Sequence, residues 1–241
     1  MGSVRVRSHL RELSLRERRS TVERVVGLDL AGSPARTTGF CFLGRGPRVR
    51  VAALHSDAEI VAATRAARPD VVSIDAPLSL PKGRRTIEDR SGPHLRSADR
   101  ELLRLGIRFF PITLGPMRML TTRGLRLRRR FDRDGFRTIE SYPGAAQDLL
   151  GIPRKQAGAE ALRQGLLRTG LSGDLERRDL SHDELDGITC ALVGRAYLRG
   201  DFFAIGDPEE GLMVLPSRAA CRARYRARGK RPEDGPPPAR I

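Results

Sequence analysis

Val25-Val26-Gly27-Leu28-Asp29-Leu30-Ala31-Gly32 is the stretch on which the fold turns. In an extended chain successive side chains alternate between faces, so Val26, Leu28 and Leu30 share one side and Gly27 and Asp29 the other. One face is wholly apolar; the other runs from a glycine to a carboxylate just before a break at Gly32. The pattern recurs in Val71–Ala76, where Asp75 shares a face with Ser73 against Val72 and Ile74, ahead of Pro77. It recurs again in Arg137–Tyr142, where Glu140 shares a face with Thr138 against Ile139, ahead of Pro143. If these strands are parallel neighbours, the three acids meet at the C-terminal edge of the sheet, where open α/β folds place their sites. Converging carboxylates repel unless protons or a cation neutralise them, so such a cluster points to metal binding.

Outward from the first strand, Thr37–Arg45 and Arg48–His55 read as two more strands joined by the turn signal Gly44-Arg45-Gly46-Pro47. A helix over 58–67, capped by Asp57, leads to the second acid-bearing strand. Helices follow near 97–105 and 117–131, then the third acid-bearing strand, then helices near 145–150, 157–168 and 181–198. Two short strands, Phe202–Ile205 and Leu212–Leu215, close the body. Three strands in succession, then strands alternating with helices, predict an α/β fold: a three-strand meander continued by parallel strands, with helices packed on the sheet.

The helix at 181–198 opens with Ser181-His182-Asp183-Glu184-Leu185-Asp186-Gly187. Ser181 and Glu184 have the spacing of a capping box, which accounts for Glu184. Asp186 lies beyond the reach of capping and shares a face with Asp183 and Cys190, the side expected to pack on the sheet. Asp186 is therefore expected to point at the sheet as a metal ligand, with Asp183 beside it.

At 241 residues the chain can bury one core, and 39% hydrophobic with 31% charged residues is the balance of a soluble globular protein. No apolar run is long enough to cross a bilayer, and the arginine-rich start has no apolar core of a secretory signal, so a cytoplasmic protein with no membrane partner is expected. Three cysteines, Cys41, Cys190 and Cys221, are too scattered for a disulfide framework or structural zinc. The net charge of +16 is shared among a basic N-terminal extension (1–24), the body (25–216) and a basic, proline-rich tail (217–241) expected to be disordered. In the body the basic residues gather between Lys82 and Arg137. There Arg84, Arg85, Arg96 and Arg128-Arg129-Arg130 are candidate contacts to DNA or RNA, with Phe109, Phe110 and Phe131 available for stacking.

Four motifs taken in order, Gly27-Leu28-Asp29-Leu30-Ala31-Gly32-Ser33, Ser73-Ile74-Asp75-Ala76-Pro77, Glu140-Ser141-Tyr142-Pro143 and His182-Asp183-Glu184-Leu185-Asp186-Gly187, resemble a family of predicted RNase H-like nucleases (domain of unknown function 429). Arg96-Ser97-Ala98-Asp99-Arg100 and Gly106-Ile107-Arg108-Phe109-Phe110-Pro111 extend the resemblance over the body, which departs at Gly187 where the family pattern has alanine. More distantly, Asp29, Asp75 and the pair Asp183 and Asp186 are similar to the acidic set of RuvC-type resolvases, in which Glu140 has no counterpart. The resemblance implies an RNase H-like sheet and a two-metal phosphodiesterase. Its catalytic residues would be Asp29, Asp75, Glu140 and Asp186, with Asp183 as a further ligand for two Mg²⁺ or Mn²⁺ ions. Two alternatives keep the fold and change the function. One is a nucleotide-binding ATPase or kinase-like protein using Asp29-Leu30-Ala31-Gly32-Ser33 as a phosphate loop, although such proteins need two facing domains and this body has room for one. The other is a non-catalytic nucleic-acid-binding module, which has no need of the acids.

Overall fold

Val25, Val26 and Leu28 are all buried because the first strand has a helical layer on each face. The computed structural model describes residues 23–217 except 90 and 178; Cys221 and nearly all of the two basic terminal segments lie outside the described residues. The strands are β1 (Val25–Asp29), β2 (Thr38–Leu43), β3 (Arg48–Leu54), β4 (Val71–Asp75), β5 (Thr138–Ser141), β6 (Ser172–Gly173), β7 (Phe202–Asp207) and β8 (Gly211–Pro216). They form one eight-stranded mixed sheet in the order β6-β3-β2-β1-β4-β5-β8-β7. β1, β2 and β3 make the expected antiparallel meander, and β4, β5 and β8 extend it in parallel from β1. The two closing strands pair antiparallel with each other.

Helices α1 (Asp57–Ala67) and α3 (Gly115–Arg133) cover the face that carries Val26, Leu28, Val72 and Ile74, burying Ile60, Leu127 and Phe131 against them. Helix α7 (His182–Arg199), with α5 (Ala159–Arg168) and α6 (Asp174–Arg177) behind it, covers the face that carries Val25, Cys41 and Val71. Helix α2 (Ser97–Arg104) packs over the edge strand β7 and its neighbour β8, where Ala98 and Leu102 meet Ile205, Met213 and Leu215. Helix α4 (Pro143–Leu150) leaves β5 and leads through a 3-10 turn, Lys155–Ala157, into α5.

Most elements follow the hydrophobic pattern, with local differences. The cap of α1 is Ser56 rather than Asp57: its hydroxyl accepts from the Glu59 N–H while Glu59 reaches back to the Ser56 N–H. Residues 172–177 hold a two-residue strand and one helical turn, too short to show a period. The body also reaches upstream of 25, since Arg24 N–H donates to Asp70 at 2.8 Å and Glu23 pairs with Arg199. No described helix is long and apolar enough to cross a membrane.

Candidate carboxylate site

Asp29 and Asp75 are register partners at the ends of the neighbouring parallel strands β1 and β4, so their side chains leave the sheet on the same face. The face is the one under α7, and both residues still reach solvent at the strand edge. Glu140 leaves the sheet on the other face, though its charge still adds to the rise of the Asp75 carboxyl. β5 pairs Ile74 with Glu140 and Ser73 with Ile139, so Glu140 points to the opposite face with Ile74, and Ser141 follows on the face of Asp75. There the buried Glu140 carboxylate accepts from the Leu78 N–H at 2.7 Å and from Arg96 Nη1 at 2.7 Å. Arg96 in turn pairs with Asp99 at 2.9 Å, and all three side chains are buried. Glu140, expected as a catalytic ligand, is here held in a clamp that fixes the chain just beyond β4. The signal for the true register was the proline spacing: Asp75 lies two residues before Pro77, and Ser141, not Glu140, two before Pro143.

The second wall of the site is the N-terminal half of α7, brought down onto the sheet by glycines. A Cβ built on Gly39 would fall 1.8 Å from the Asp183 backbone oxygen, and one on Gly27 would fall 2.2 Å from the Gly187 oxygen. Helix backbone therefore rests directly on strand backbone, a contact no larger residue permits. Gly187 belongs to the same seam, since a Cβ there would lie 2.8 Å from the Gly39 oxygen. Its departure from the family's alanine thus coincides with a very close approach. Gly39 is the register partner of Asp29, so the seam carries Asp183 and Asp186 to the mouth of the site. Asp186 is buried, with one oxygen accepting from Gln147 Nε2 at 2.7 Å and the other from Lys155 Nζ at 3.1 Å.

The electrostatics follow from this crowding. Dehydration, then the charges of Asp186 and Asp183, push the Asp29 carboxyl up from 3.8 to about 8, against the pull of Lys155 and Arg36. Dehydration and the charges of Asp29 and Asp186 raise Asp75 well above the usual carboxylate range. Burial works against the Lys155 ammonium, but Asp186, Asp29 and Asp75 outweigh it and raise its pKa. The cluster therefore holds more negative charge than the protein around it compensates. As placed, no three His, Cys, Asp or Glu side chains among the described residues stand close enough together to hold a metal ion. The carboxylates are gathered without being closed into a ligand set.

The basic candidates divide. Arg84 is buried, donating to the backbone oxygens of Pro93, Asp89 and Gly92, and Arg96 belongs to the Glu140 clamp, so neither is free for a nucleic acid. Arg85 is exposed. Arg128, Arg129 and Arg130 lie on α3, which covers the sheet face opposite Asp29 and Asp75; Arg128 donates to the Leu78 oxygen, and Arg130 lines a recess with Arg65 and Asp134. Phe131 is core, Phe109 packs partly against the β7–β8 layer, and Phe110 is 71% exposed. Other cations line the approach beside Gly32: on α3, Arg118 pairs with Glu88 and Arg126 with Asp57 at 3.5 Å. Arg36 acts on Asp29, and Arg118 and Arg126 line an open groove of about 640 Å³ beside Gly32 and Pro34. Arg123 in the same groove is buried, tying α3 to Asp57 and to the Ala31 oxygen, and so fixes the loop that follows Asp29.

Sequence reasoning missed Lys155, Gln147, Ser141 and Arg36. Lys155 carried one signal: it is one of three lysines in a chain whose basic residues are otherwise arginine. Gln147 showed none beyond being a polar residue in an apolar helix, and Arg36 none at all. No curated protein and no solved structure matches the chain. The family model described as a protein of unknown function (DUF429) matches residues 27–210, from the β1 glycine through both carboxylate strands and α7 to the β7–β8 turn, and the chain belongs to that family.

Proposed function

We propose that the chain is a divalent-metal-dependent hydrolase that cleaves phosphodiester bonds of a nucleic acid, on an RNase H-like core. The observation that carries the reading is the Asp29–Asp75 register pair with Asp186 held over it, its Asp29 carboxyl raised to about 8 by dehydration and like charge. A cluster so short of positive charge gains from a cation, and an all-carboxylate donor set suits hard ions such as Mg²⁺ or Mn²⁺. The strand order β3-β2-β1-β4-β5, with β2 alone antiparallel among these five, supports the RNase H-like reading.

Asp29, Asp75 and Asp186 would hold the ion only by drawing closer together than they stand here, with Asp183 at the rim. When bound, it supplies an activated water and charge stabilisation at the leaving oxygen. The protein's own part is positional. Gln147 fixes the orientation of Asp186, Glu140 and Arg96 hold the chain after Asp75, and Arg123 holds the chain after Asp29. Arg36, Arg118 and Arg126 offer charge to a phosphate backbone entering past Gly32.

The test is cleavage of labelled single- and double-stranded DNA and RNA with Mg²⁺, Mn²⁺ or EDTA, alongside Asp29→Asn and Asp186→Asn. Metal-dependent cleavage lost in both variants is expected. ATP hydrolysis dependent on Asp29, without cleavage of any strand, would replace this reading with the kinase-like one.

A further inference from the structure

We infer that the nucleic acid this chain takes is single-stranded, its unpaired bases lying on an apolar and basic strip between Leu103 and Met119. The inference rests on the nucleic-acid reading above and names its substrate class.

The strip is marked in two independent ways. Leu103, Leu105, Phe110, Leu114 and Met119 are the large hydrophobic side chains left exposed among the described residues, and all fall within this one segment. Scattered singly, such residues need no explanation; gathered, they mark a surface that a partner covers. The segment is also strongly basic: between Glu101 and Asp132 the sequence holds eight arginines and no acid. Arg104 and Arg108 are exposed within it. Arg118 is paired with Glu88, a surface ion pair that a phosphate can replace at little cost.

Its anchors place it beside the carboxylates. Tyr142, directly after β5, donates from its hydroxyl to the Arg108 oxygen at 2.6 Å. At the other end Met119 lies against the chain that leaves β1, where a Cβ built on Gly32 would be 3.5 Å from the Met119 Cβ. β4, with Asp75 at its end, lies between β5 and β1. The segment therefore crosses the edge that carries Asp29 and Asp75, and its Gly115 and Met119 line the groove beside Gly32.

The occupant follows from the chemistry. Apolar side chains among arginines fit a partner that offers flat apolar faces and phosphates together. Single-stranded nucleic acid does so, because every unpaired base has a face that can stack on an aromatic ring. In a duplex those faces are stacked on one another, leaving phosphates and groove edges outside. A second copy of the chain would bring the same arginines against these, so charge opposes self-association. An acidic lipid surface matches the composition, but it is flat, whereas Arg118 and Met119 line a groove that a thin strand can follow.

The experiment measures binding to the full chain in EDTA, so that cleavage plays no part. The probes are labelled oligothymidylate and oligouridylate, an abasic strand of the same length, duplex DNA and RNA matched in phosphate number, and phosphatidylserine-containing vesicles. Wild type, Phe110→Ala, Phe110→Trp and the double variant Phe110→Ala with Met119→Ala are compared. Both side chains are exposed, so the variants should fold, which circular dichroism checks. The wild type should bind one or both oligonucleotides about tenfold tighter, or more, than the abasic strand or the duplexes. Phe110→Ala should lose about tenfold on the oligonucleotides alone, and Phe110→Trp should restore it. Equal affinity for strand and duplex, or a single-strand preference that survives the double substitution, overturns the inference and leaves the nucleic-acid reading intact. A dimer in sedimentation that Phe110→Ala dissociates overturns it in favour of a second copy. No binding of any nucleic acid removes the reading and the inference with it, and vesicle binding in its place would assign the strip to a lipid surface.

Discussion

Asp29→Asn should stabilise the metal-free protein, and only at pH values where the wild-type unfolded chain carries a charge there. In the native state the Asp29 carboxyl is pushed up to about 8 from 3.8. Below 3.8 both states are protonated and the group contributes nothing. Between 3.8 and about 8 the unfolded chain gives up its proton and the native state keeps it, so stability falls steadily as pH rises; above about 8 the loss is complete. At about 1.4 kcal/mol per pKa unit the ceiling is about 6 kcal/mol. Solvent reaching Asp29 at the strand edge screens its charge and reduces this to roughly half, about 2–3 kcal/mol. For a body of this size that corresponds to roughly 5–10 °C in Tm. Asparagine keeps the shape of the protonated acid, so the two proteins should melt together at pH 4 and diverge by pH 8. Saturating Mn²⁺ should reverse the order, since an ion at a hundred times its Kd adds about 2.7 kcal/mol to the wild type alone. Thermal unfolding by circular dichroism in EDTA and in Mn²⁺, at pH 4, 6 and 8, measures all of this. An Asp29→Asn protein that melts lower than wild type at pH 8 in EDTA would refute the claim that the cluster is short of positive charge.

Three further outcomes are expected. Arg96→Gln leaves Glu140 and Asp99 buried without their cation and should cost about 3–5 kcal/mol in urea unfolding; a loss under about 1 kcal/mol would mean that the clamp is not structural. Gly39→Ala drives a methyl group into the Asp183 backbone and should cost about 3 kcal/mol while weakening Mn²⁺ binding, whereas an exposed control, Gly46→Ala, should do neither. Replacing Arg36, Arg118 and Arg126 by alanine should lower the salt slope of single-strand binding by about 2, and replacing Arg129 and Arg130 should leave it nearly unchanged; the opposite ranking would put the nucleic acid on the outer face of α3.

The apolar side of the fold was legible because strand alternation and helix periodicity are written locally: β1, β4 and α7 fall close to where the pattern puts them, with Asp29, Asp75 and Asp186 on the faces it gives. Glu140 shows where such reading stops. Alternation assigns a residue to one of two faces within its own strand, but which face matches the neighbour's depends on register, and a one-residue slip exchanges them. Arg84 and Arg96 fail differently. An arginine looks the same in sequence whether its side chain reaches solvent, ties down backbone oxygens as Arg84 does, or neutralises acids brought together by folding, as Arg96 does with Glu140 across 44 residues of sequence. Lys155 comes from an irregular turn, where no period exists to aim a side chain.

The glycine seam also governs when the site can exist during synthesis. It joins Gly27 and Gly39, near the start of the body, to residues 183–191, near its end. A nascent chain can zip the β1–β2–β3 meander early, because those contacts are local, but the face under the seam stays bare until the last long helix has left the ribosome. Asp29 and Asp75 can be adjacent by then, yet Asp186, Lys155 and the covering backbone arrive only with the second half of the chain. No truncated product ending before α7 can assemble the cluster, so the cluster and the body are completed together.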